Sequence, residues 1–117
     1  MAETRYFNAQ DLTDYAAAMF RSVGMSDEDA TLIARDLVKA NLRGVDSHGI
    51  SRIPMYLERL RQGLVNPRPE VKVTKVAGAV AHVDGDNGMG FVPAHVAMNT
   101  ACDIAAEMGI GLVGVHR

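Results

Sequence analysis

The sequence has few of the features that define several large protein classes. Its 117 residues include one cysteine and no tryptophan. A single cysteine excludes an intrachain disulfide and fits a reducing, cytoplasmic setting. No apolar run approaches the roughly 20 residues that a membrane span needs, so no membrane partner is expected. The net charge of −2 gives no basic surface for nucleic acid.

The composition is that of an ordinary globular protein. Hydrophobic residues make up 48% of the chain and charged residues 22%. The apolar pattern is helical at first and changes near residue 63. We therefore expect a helical N-terminal segment over residues 1–63 and the start of an α/β sheet region over residues 64–117, together forming one incomplete domain.

Three helices are predicted in the first segment, over residues 9–23, 26–43 and about 51–62. Apolar residues recur there at steps of three and four. Asn8 and Ser26 are suitable N-caps, and Pro54 belongs in the first turn of the third helix because proline lacks an N–H. The residues expected to be buried are Leu12, Tyr15, Ala16, Met19, Phe20, Val23, Leu32, Ile33, Leu37, Val38, Leu42, Met55, Leu57, Leu60 and Leu64.

Strand patterns dominate the second segment. "EVKVTKVAG" alternates as in an edge strand, "AVAHVDG" is more apolar, and residues 110–115 read as a buried strand. A long helix, in which Cys102 is expected to be a small core residue, lies between the last two strands. The chain ends two residues after that third strand, which suggests a piece of a larger protein. The order of elements predicts an α/β fold with a mixed sheet.

The polar cluster of the chain is "RGVDSHGISR", residues 43–52, between two predicted helices. A histidine just before a helix can take or give a proton near neutral pH, which makes His48 a candidate acid–base group. Arg52, four residues later, carries a planar fork suited to a carboxylate. Ser47 adds a hydroxyl. This set fits the binding of a small carboxylate and the movement of a proton on the neighbouring carbon.

A simpler interpretation of the same cluster stays open at this point. An Asp-Ser pair before a helix is a common cap, and Arg52 could be a solvated surface residue. Asp46 could either orient the imidazole or cap a helix. Gly44 and Gly49 would let the backbone turn and let a ligand approach closely.

Three segments resemble the N-terminal signature of the malate/L-lactate dehydrogenase family of the non-Rossmann type. They are "ANLRGVDSHGISRIPMYLERLRQGLVNPRPEVKV", "VDGDNGMGFVPAHVAM" and "AAEMGIGLVGV". That family also includes ureidoglycolate and sulfolactate dehydrogenases and reductases of cyclic 2-imino acids. The resemblance implies an oxidoreductase that interconverts a small 2-hydroxy acid and a 2-oxo acid with NAD or NADP, as a homodimer.

The resemblance also implies roles for individual residues. His48 would be the catalytic candidate, and Ser47 and Arg52 would bind the acid group of the substrate. A second active-site histidine, a lysine and the main nicotinamide-binding domain of such proteins would lie beyond residue 117, so these residues alone would be inactive. His116 precedes the expected position of that second histidine and is interpreted as a strand-end residue.

The glycines of "DGDNGMG" follow a strand and precede a helix. Their spacing is not the G-x-G-x-x-G dinucleotide fingerprint. A tight turn, in which Asp86, Asn87 and a glycine take left-handed angles, explains the pattern. Because the resembled family places this loop near its active site, Asn87, Gly88 and Gly90 are candidate cofactor contacts. His82 and His95 have no ligands at metal spacing, so no metal is predicted.

Two other classes of function were weighed. A helix-turn-helix module is disfavoured by the acidic start of the second helix, which would face phosphates. A non-catalytic dimerisation or interaction fragment is the stronger alternative. The sequence does not identify the substrate acid or choose between NAD and NADP.

Overall fold

A computed structural model of the chain describes residues 3–117. The chain divides into two compact units, of which one ends at Arg61 and the other spans Gln62–Arg117. The division predicted at residue 63, within one incomplete domain, stays a prediction. Along the described part of the chain, none of the helices is both long enough and apolar enough to cross a bilayer.

The first two helices, α1 (Ala9–Ser22) and α2 (Asp27–Leu42), pack against each other and begin at the predicted caps. The Asn8 side chain accepts hydrogen bonds from the backbone N–H groups of Gln10 and Asp11, at 2.8 and 3.1 Å. Ser26 accepts one from the N–H of Asp29, at 3.2 Å. These bonds satisfy donors that a helix start leaves unpaired, so both caps are confirmed.

A bend connects α2 to the third helix. Gly44 takes a φ of +78°, a left-handed conformation that glycine adopts without strain. Two short 3₁₀ turns follow, Asp46–His48 and Ile50–Arg52, and lead directly into α3 (Ile53–Arg61). Pro54 is the second residue of α3, which confirms its predicted place in the first turn.

The core of the first unit lies where its three helices meet. Phe20, Ile33 and Leu37 are fully buried, and Leu57 and Leu60 cover them from α3. Of the predicted core residues, Tyr15 and Leu42 are the most exposed, at 68% and 71%.

The reasons for these two corrections differ. Tyr15 lines an apolar cleft of about 560 Å³ that α1 and α3 leave open between them. Leu42 is the last residue of α2, where the chain turns away from the core. Met55 and Leu64 are also more exposed than predicted, because Met55 is not on the face of α3 that carries Leu57 and Leu60, and Leu64 lies beyond the end of that helix.

The second unit is a mixed sheet with one packed helix. Its elements are β1 (Lys72–Ala77), β2 (Val80–Asp84), α4 (Phe91–Met108) and β3 (Leu112–His116). The strand order is β1-β2-β3, with β1 and β2 antiparallel and β2 and β3 parallel. A parallel pair needs a crossover connection, which α4 provides. The predicted α/β arrangement of helices followed by a mixed sheet is confirmed.

Two expectations about burial in this unit are wrong. β3 was predicted to be buried, but Leu112 is 64% exposed, because among the described residues only β2 pairs with this strand. Cys102 was expected in the core and is exposed. The buried residues of α4 include Ala97 and Ile104, and Cys102 lies about 140° around the helix from Ala97.

Two of the three leucines of α2 test this description of the core. Leu37→Ala removes a fully buried side chain and should lower the free energy of unfolding by about 2–5 kcal/mol. Leu42→Ala, on the same helix but exposed, should change it by less than about 0.5 kcal/mol. Urea denaturation of both variants measures the difference, and equal losses would contradict the assigned core.

Candidate active site

Ser47 and His48 lie together on the first 3₁₀ turn after α2. Ser47 Oγ is 2.9 Å from His48 Nδ1, and which of the two atoms donates depends on the imidazole tautomer. Both residues are exposed. The backbone N–H of His48 donates to the carbonyl oxygen of Val45 at 3.1 Å. The imidazole is therefore accessible and has a hydroxyl partner on one nitrogen.

The Arg52 side chain is hydrogen-bonded to the same turn. Its Nε donates a hydrogen bond to the carbonyl oxygen of Ser47 at 2.7 Å. No Asp or Glu carboxylate in the described part of the chain forms an ion pair with Arg52. The structure thus brings Ser47, His48 and Arg52 together, with the outer guanidinium nitrogens left for an external anion. A guanidinium held in this way can bind a carboxylate beside a group that transfers protons.

Asp46 has neither of the roles considered from the sequence. Its Oδ1 accepts a hydrogen bond from Asn41 Nδ2 at 2.8 Å, and its side chain caps no helix. The backbone carbonyl of Asp46 accepts a second hydrogen bond, from Ser51 Oγ at 2.9 Å. Asp46 and Ser51 therefore stabilise the bend, and the imidazole has Ser47 as its side-chain partner.

Asn41 is the residue that the sequence reasoning missed. Besides its bond to Asp46, its Oδ1 accepts a hydrogen bond from the backbone N–H of Ile50 at 2.9 Å. Gly49 is buried against it, and a methyl group at Gly49 would overlap the Asn41 side-chain amide. The absence of a side chain at Gly49 thus makes room for Asn41, and its expected role in the approach of a ligand stays a prediction. An amide in the last turn of a helix just before a polar cluster was the available signal.

A cleft of about 470 Å³ opens beside the bend in the first unit. Asn41, Asp46 and Ile50 contribute to its wall, together with Arg5 and Phe7 from the segment before α1. Ser47, His48 and Arg52 do not line it. The cleft therefore adjoins the groups that hold the bend rather than the three candidate reactive groups.

The glycine loop, residues 85–90, is in the second unit. Asp86 and Asn87 have φ values of 51° and 54°, which confirms their predicted left-handed conformation. The glycines do not share it. At Gly85 a Cβ would lie 2.6 Å from the carbonyl oxygen of Arg117, and at Gly88 it would lie 2.5 Å from the ring of Pro69. Gly85 and Gly88 are thus required for space, whereas Gly90 has open space around it.

Hydrogen bonds to the preceding connector fix this loop. Asn66 Nδ2 donates to Asp86 Oδ2 at 3.0 Å, and Asn87 Nδ2 donates to the carbonyl oxygen of Leu64 at 3.0 Å. Within the loop, the N–H of Asp86 donates to Asp84 and that of Gly88 to Gly85. The N–H groups of Asp86 and Gly88 are thus used within the loop. The cofactor contacts of Asn87, Gly88 and Gly90 stay a prediction.

Charged groups meet at the ends of β2 and β3. Arg117 donates two hydrogen bonds to Asp84, at 3.0 and 2.7 Å. These bonds, with one from the Asp86 N–H, lower the pKa of Asp84 to about 2. The His82 and His116 rings stack with their centroids 4.4 Å apart. Residues 3–117 contain no group of three side chains placed to hold a metal ion.

The remaining histidines lie where the sequence placed them. His82 is on β2, His95 is exposed on α4, and His116 is the last residue of β3. His116 Nε2 lies 3.9 Å from Asp84 Oδ2. The interpretation of His116 as a strand-end residue is therefore confirmed.

Comparison with known proteins connects this geometry to a class of enzymes. The family model of malate/L-lactate dehydrogenases matches residues 7–117. Hydroxycarboxylate dehydrogenase B of Escherichia coli O157:H7 is 41% identical over 111 residues, which are 95% of this chain and 31% of that protein. The malate dehydrogenase structure from Pyrococcus horikoshii matches with a TM-score of 0.87 and 31% identity, over 100% of this chain and 36% of that one.

A second solved structure broadens the comparison. The Δ1-piperideine-2-carboxylate reductase of Pseudomonas syringae pv. tomato matches with a TM-score of 0.89 and 30% identity, over 97% of this chain and 34% of that one. The chain belongs to the malate/L-lactate dehydrogenase family, as the sequence resemblance implied. It spans about a third of the length of the relatives it matches.

Titration of Asp84 tests the geometry at the ends of β2 and β3. Because the folded-state pKa of about 2 lies below the ordinary value of about 3.9, this group stabilises the fold fully above pH ~4 and loses that effect as the pH falls towards ~2. Carboxyl-carbon NMR should give a pKa of about 2 for Asp84, and Arg117→Ala should return it towards the ordinary range. An ordinary pKa in the unsubstituted protein would refute the pairing.

Proposed function

We propose that this chain carries the substrate acid–base site of an oxidoreductase that interconverts a small 2-hydroxy acid and the corresponding 2-oxo acid. The observation that carries the proposal is the cluster of Ser47, His48 and Arg52, in which Arg52 Nε is bonded to the Ser47 carbonyl at 2.7 Å and Ser47 Oγ lies 2.9 Å from the imidazole. Family membership supports this chemistry.

Arg52 would bind the substrate carboxylate. The carboxylate is charged before and after the reaction, so its partner should be a permanent cation, and a guanidinium stays charged at all accessible pH values. With Nε already engaged, the terminal nitrogens can donate to the carboxylate oxygens. Ser47 would add a hydrogen bond from its hydroxyl.

His48 would exchange the proton at the neighbouring oxygen. Reduction of a 2-oxo acid adds a hydride to the carbonyl carbon and builds negative charge on its oxygen, which then takes a proton. An imidazolium can supply that proton, and the neutral imidazole can remove it in the reverse direction. The hydroxyl partner on Nδ1 would leave Nε2 for the substrate. An imine nitrogen could replace the oxygen in the same scheme.

The reaction also needs a hydride carrier, and family membership supports NAD or NADP in that role. The described loop over residues 85–90 uses the N–H groups of Asp86 and Gly88 internally. Cofactor contacts of this loop would therefore come from Asn87 and Gly90 rather than from the N–H of Gly88. We propose, further, that the complete gene product is a cytoplasmic homodimer, as the resemblance to the family implies.

Replacement of His48 tests the proton-transfer role. In the complete gene product, assayed with a panel of 2-oxo acids, His48→Ala should lower kcat by about 10²–10⁴-fold, the usual contribution of general acid–base catalysis. His95→Ala, which removes an exposed histidine of α4, is the matched control and should leave kcat unchanged. Near-normal turnover by His48→Ala would assign the proton to another group.

Replacement of Arg52 should affect binding more than chemistry, because its ionic partner is present throughout the reaction. Loss of a charge-assisted hydrogen bond should raise KM for the substrate acid by about 10–100-fold, with a smaller change in kcat. Arg59→Ala removes another arginine, from the exposed face of α3, and serves as the control. A kcat loss without a change in KM would contradict the carboxylate-binding role.

A further inference from the structure

Asn41 binds both ends of the short segment that carries Ser47 and His48. Its Nδ2 donates to Asp46 Oδ1 at 2.8 Å, and its Oδ1 accepts from the Ile50 N–H at 2.9 Å. His48 lies midway between Asp46 and Ile50 in the sequence. One side chain in the last turn of α2 thus binds the Asp46 side chain before the candidate catalytic residue and the Ile50 backbone after it.

The backbone alone holds this segment weakly. Its 3₁₀ hydrogen bonds, from the N–H of His48 to Val45 and from that of Gly49 to Asp46, measure 3.1 and 3.3 Å. Such bonds have poorer geometry than those of an α-helix, and both are longer than the two bonds made by Asn41. Side-chain bonds add to these, from Ser51 and Arg52 on the C-terminal side of the segment and from Asn41. Of these three residues, Asn41 is the one that connects the segment to α2.

The side-chain amide of Asn41 suits this position in both chemistry and size. An amide offers a donor and an acceptor at once, and the bend needs a donor for the Asp46 carboxylate and an acceptor for the Ile50 N–H. The amide also packs directly on Gly49, where no side chain would fit. A residue without one of these functions would leave a backbone N–H or a carboxylate without its partner.

We propose that Asn41 is a positioning residue for His48, and this inference rests on the proposed function of His48 as a proton donor. Proton transfer needs the imidazole within hydrogen-bond reach of the reacting oxygen. Loss of the two anchors would let residues 46–50 sample other orientations. Arg52 is bonded to the Ser47 carbonyl within this segment, but its own backbone lies on the turn that continues into α3, so carboxylate binding should suffer less than proton transfer.

The test compares Asn41→Ala with Ser26→Ala in the complete gene product. Ser26 caps the other end of α2, about 20 Å from Asn41, so its loss weakens the same helix without touching the bend. Asn41→Ala should lower kcat by about 10-fold or more and change KM less than about threefold. Ser26→Ala should keep kcat while its thermal midpoint falls. Equal effects on kcat, or an unaffected Asn41→Ala, would overturn the proposal.

Asp46 provides a second pair of variants should Asn41→Ala fail to fold. Asp46→Ala removes the acceptor for Asn41 Nδ2 and should lower kcat, whereas Asp46→Asn retains an acceptor oxygen and should recover most of the loss. Full activity of Asp46→Ala would count against positioning through this bond. Failure of Asp46→Asn to recover activity would mean that the charge of Asp46 matters instead.

Amide exchange separates this proposal from the proposed function. If the unsubstituted protein turns over none of the 2-oxo acids, the proposed function fails. The hydrogen-exchange rates of the Ile50 and His48 amides still report the anchoring. Asn41→Ala should raise both rates at least about 10-fold relative to Ser26→Ala, and unchanged rates would overturn the positioning role of Asn41.

Discussion

The need to satisfy backbone hydrogen-bonding groups at the bend between α2 and α3 shapes the first unit. A chain that leaves one helix and enters another exposes unpaired donors and acceptors at both ends. Gly44 turns the chain with a left-handed φ of +78°, and the Asn41 amide then pairs with the Ile50 N–H. Pro54, which lacks an N–H, removes one further donor at the start of α3.

This arrangement leaves reactive side chains exposed on a fixed backbone. Phe20 and Leu37 form a fully buried core, and α2, which carries Asn41, is packed on that core. Groups of Asn41, Asp46 and Ser51 stabilise the bend. The side chains of Ser47 and His48 are therefore not needed for this purpose. Catalytic groups are most precise when other residues hold their backbone in this way.

The loop over residues 85–90 also carries polar residues and glycines typical of a binding site, but its side chains are bonded differently from those of the bend. Asp86 Oδ2 accepts a hydrogen bond from Asn66, and Asn87 Nδ2 donates one to the Leu64 carbonyl, so these polar atoms are used within the second unit. At the bend of the first unit, the corresponding hydroxyl, imidazole and guanidinium retain free polar atoms. Whether polar atoms are already paired separates a structural turn from a candidate site, and residue type does not.

Helix bounds, caps and the succession of helices and strands could be predicted from the sequence because each depends on local rules. Apolar periodicity, Asn8, Ser26 and Pro54 act within one or two turns of the chain. The burial of Tyr15, Leu42 and Cys102 could not be predicted, because it depends on which helix faces are covered in three dimensions. Asn41 was missed for the same reason: its partner Ile50 is nine residues away, across the bend.

The exposure of Ser47 and His48 sets a condition on the chemistry. Electrostatic and proton-transfer effects are weaker in bulk water than in a site of low dielectric, so a catalytic His48 needs a cover that excludes water once substrate is bound. The matched relatives are about three times as long as the region they share with this chain. In a protein of that length, the remaining residues would have room to supply both this cover and the binding site of the hydride carrier. Under the proposed function, the bend would then bind the substrate carboxylate and supply the proton, the two parts of the reaction that a nicotinamide does not provide.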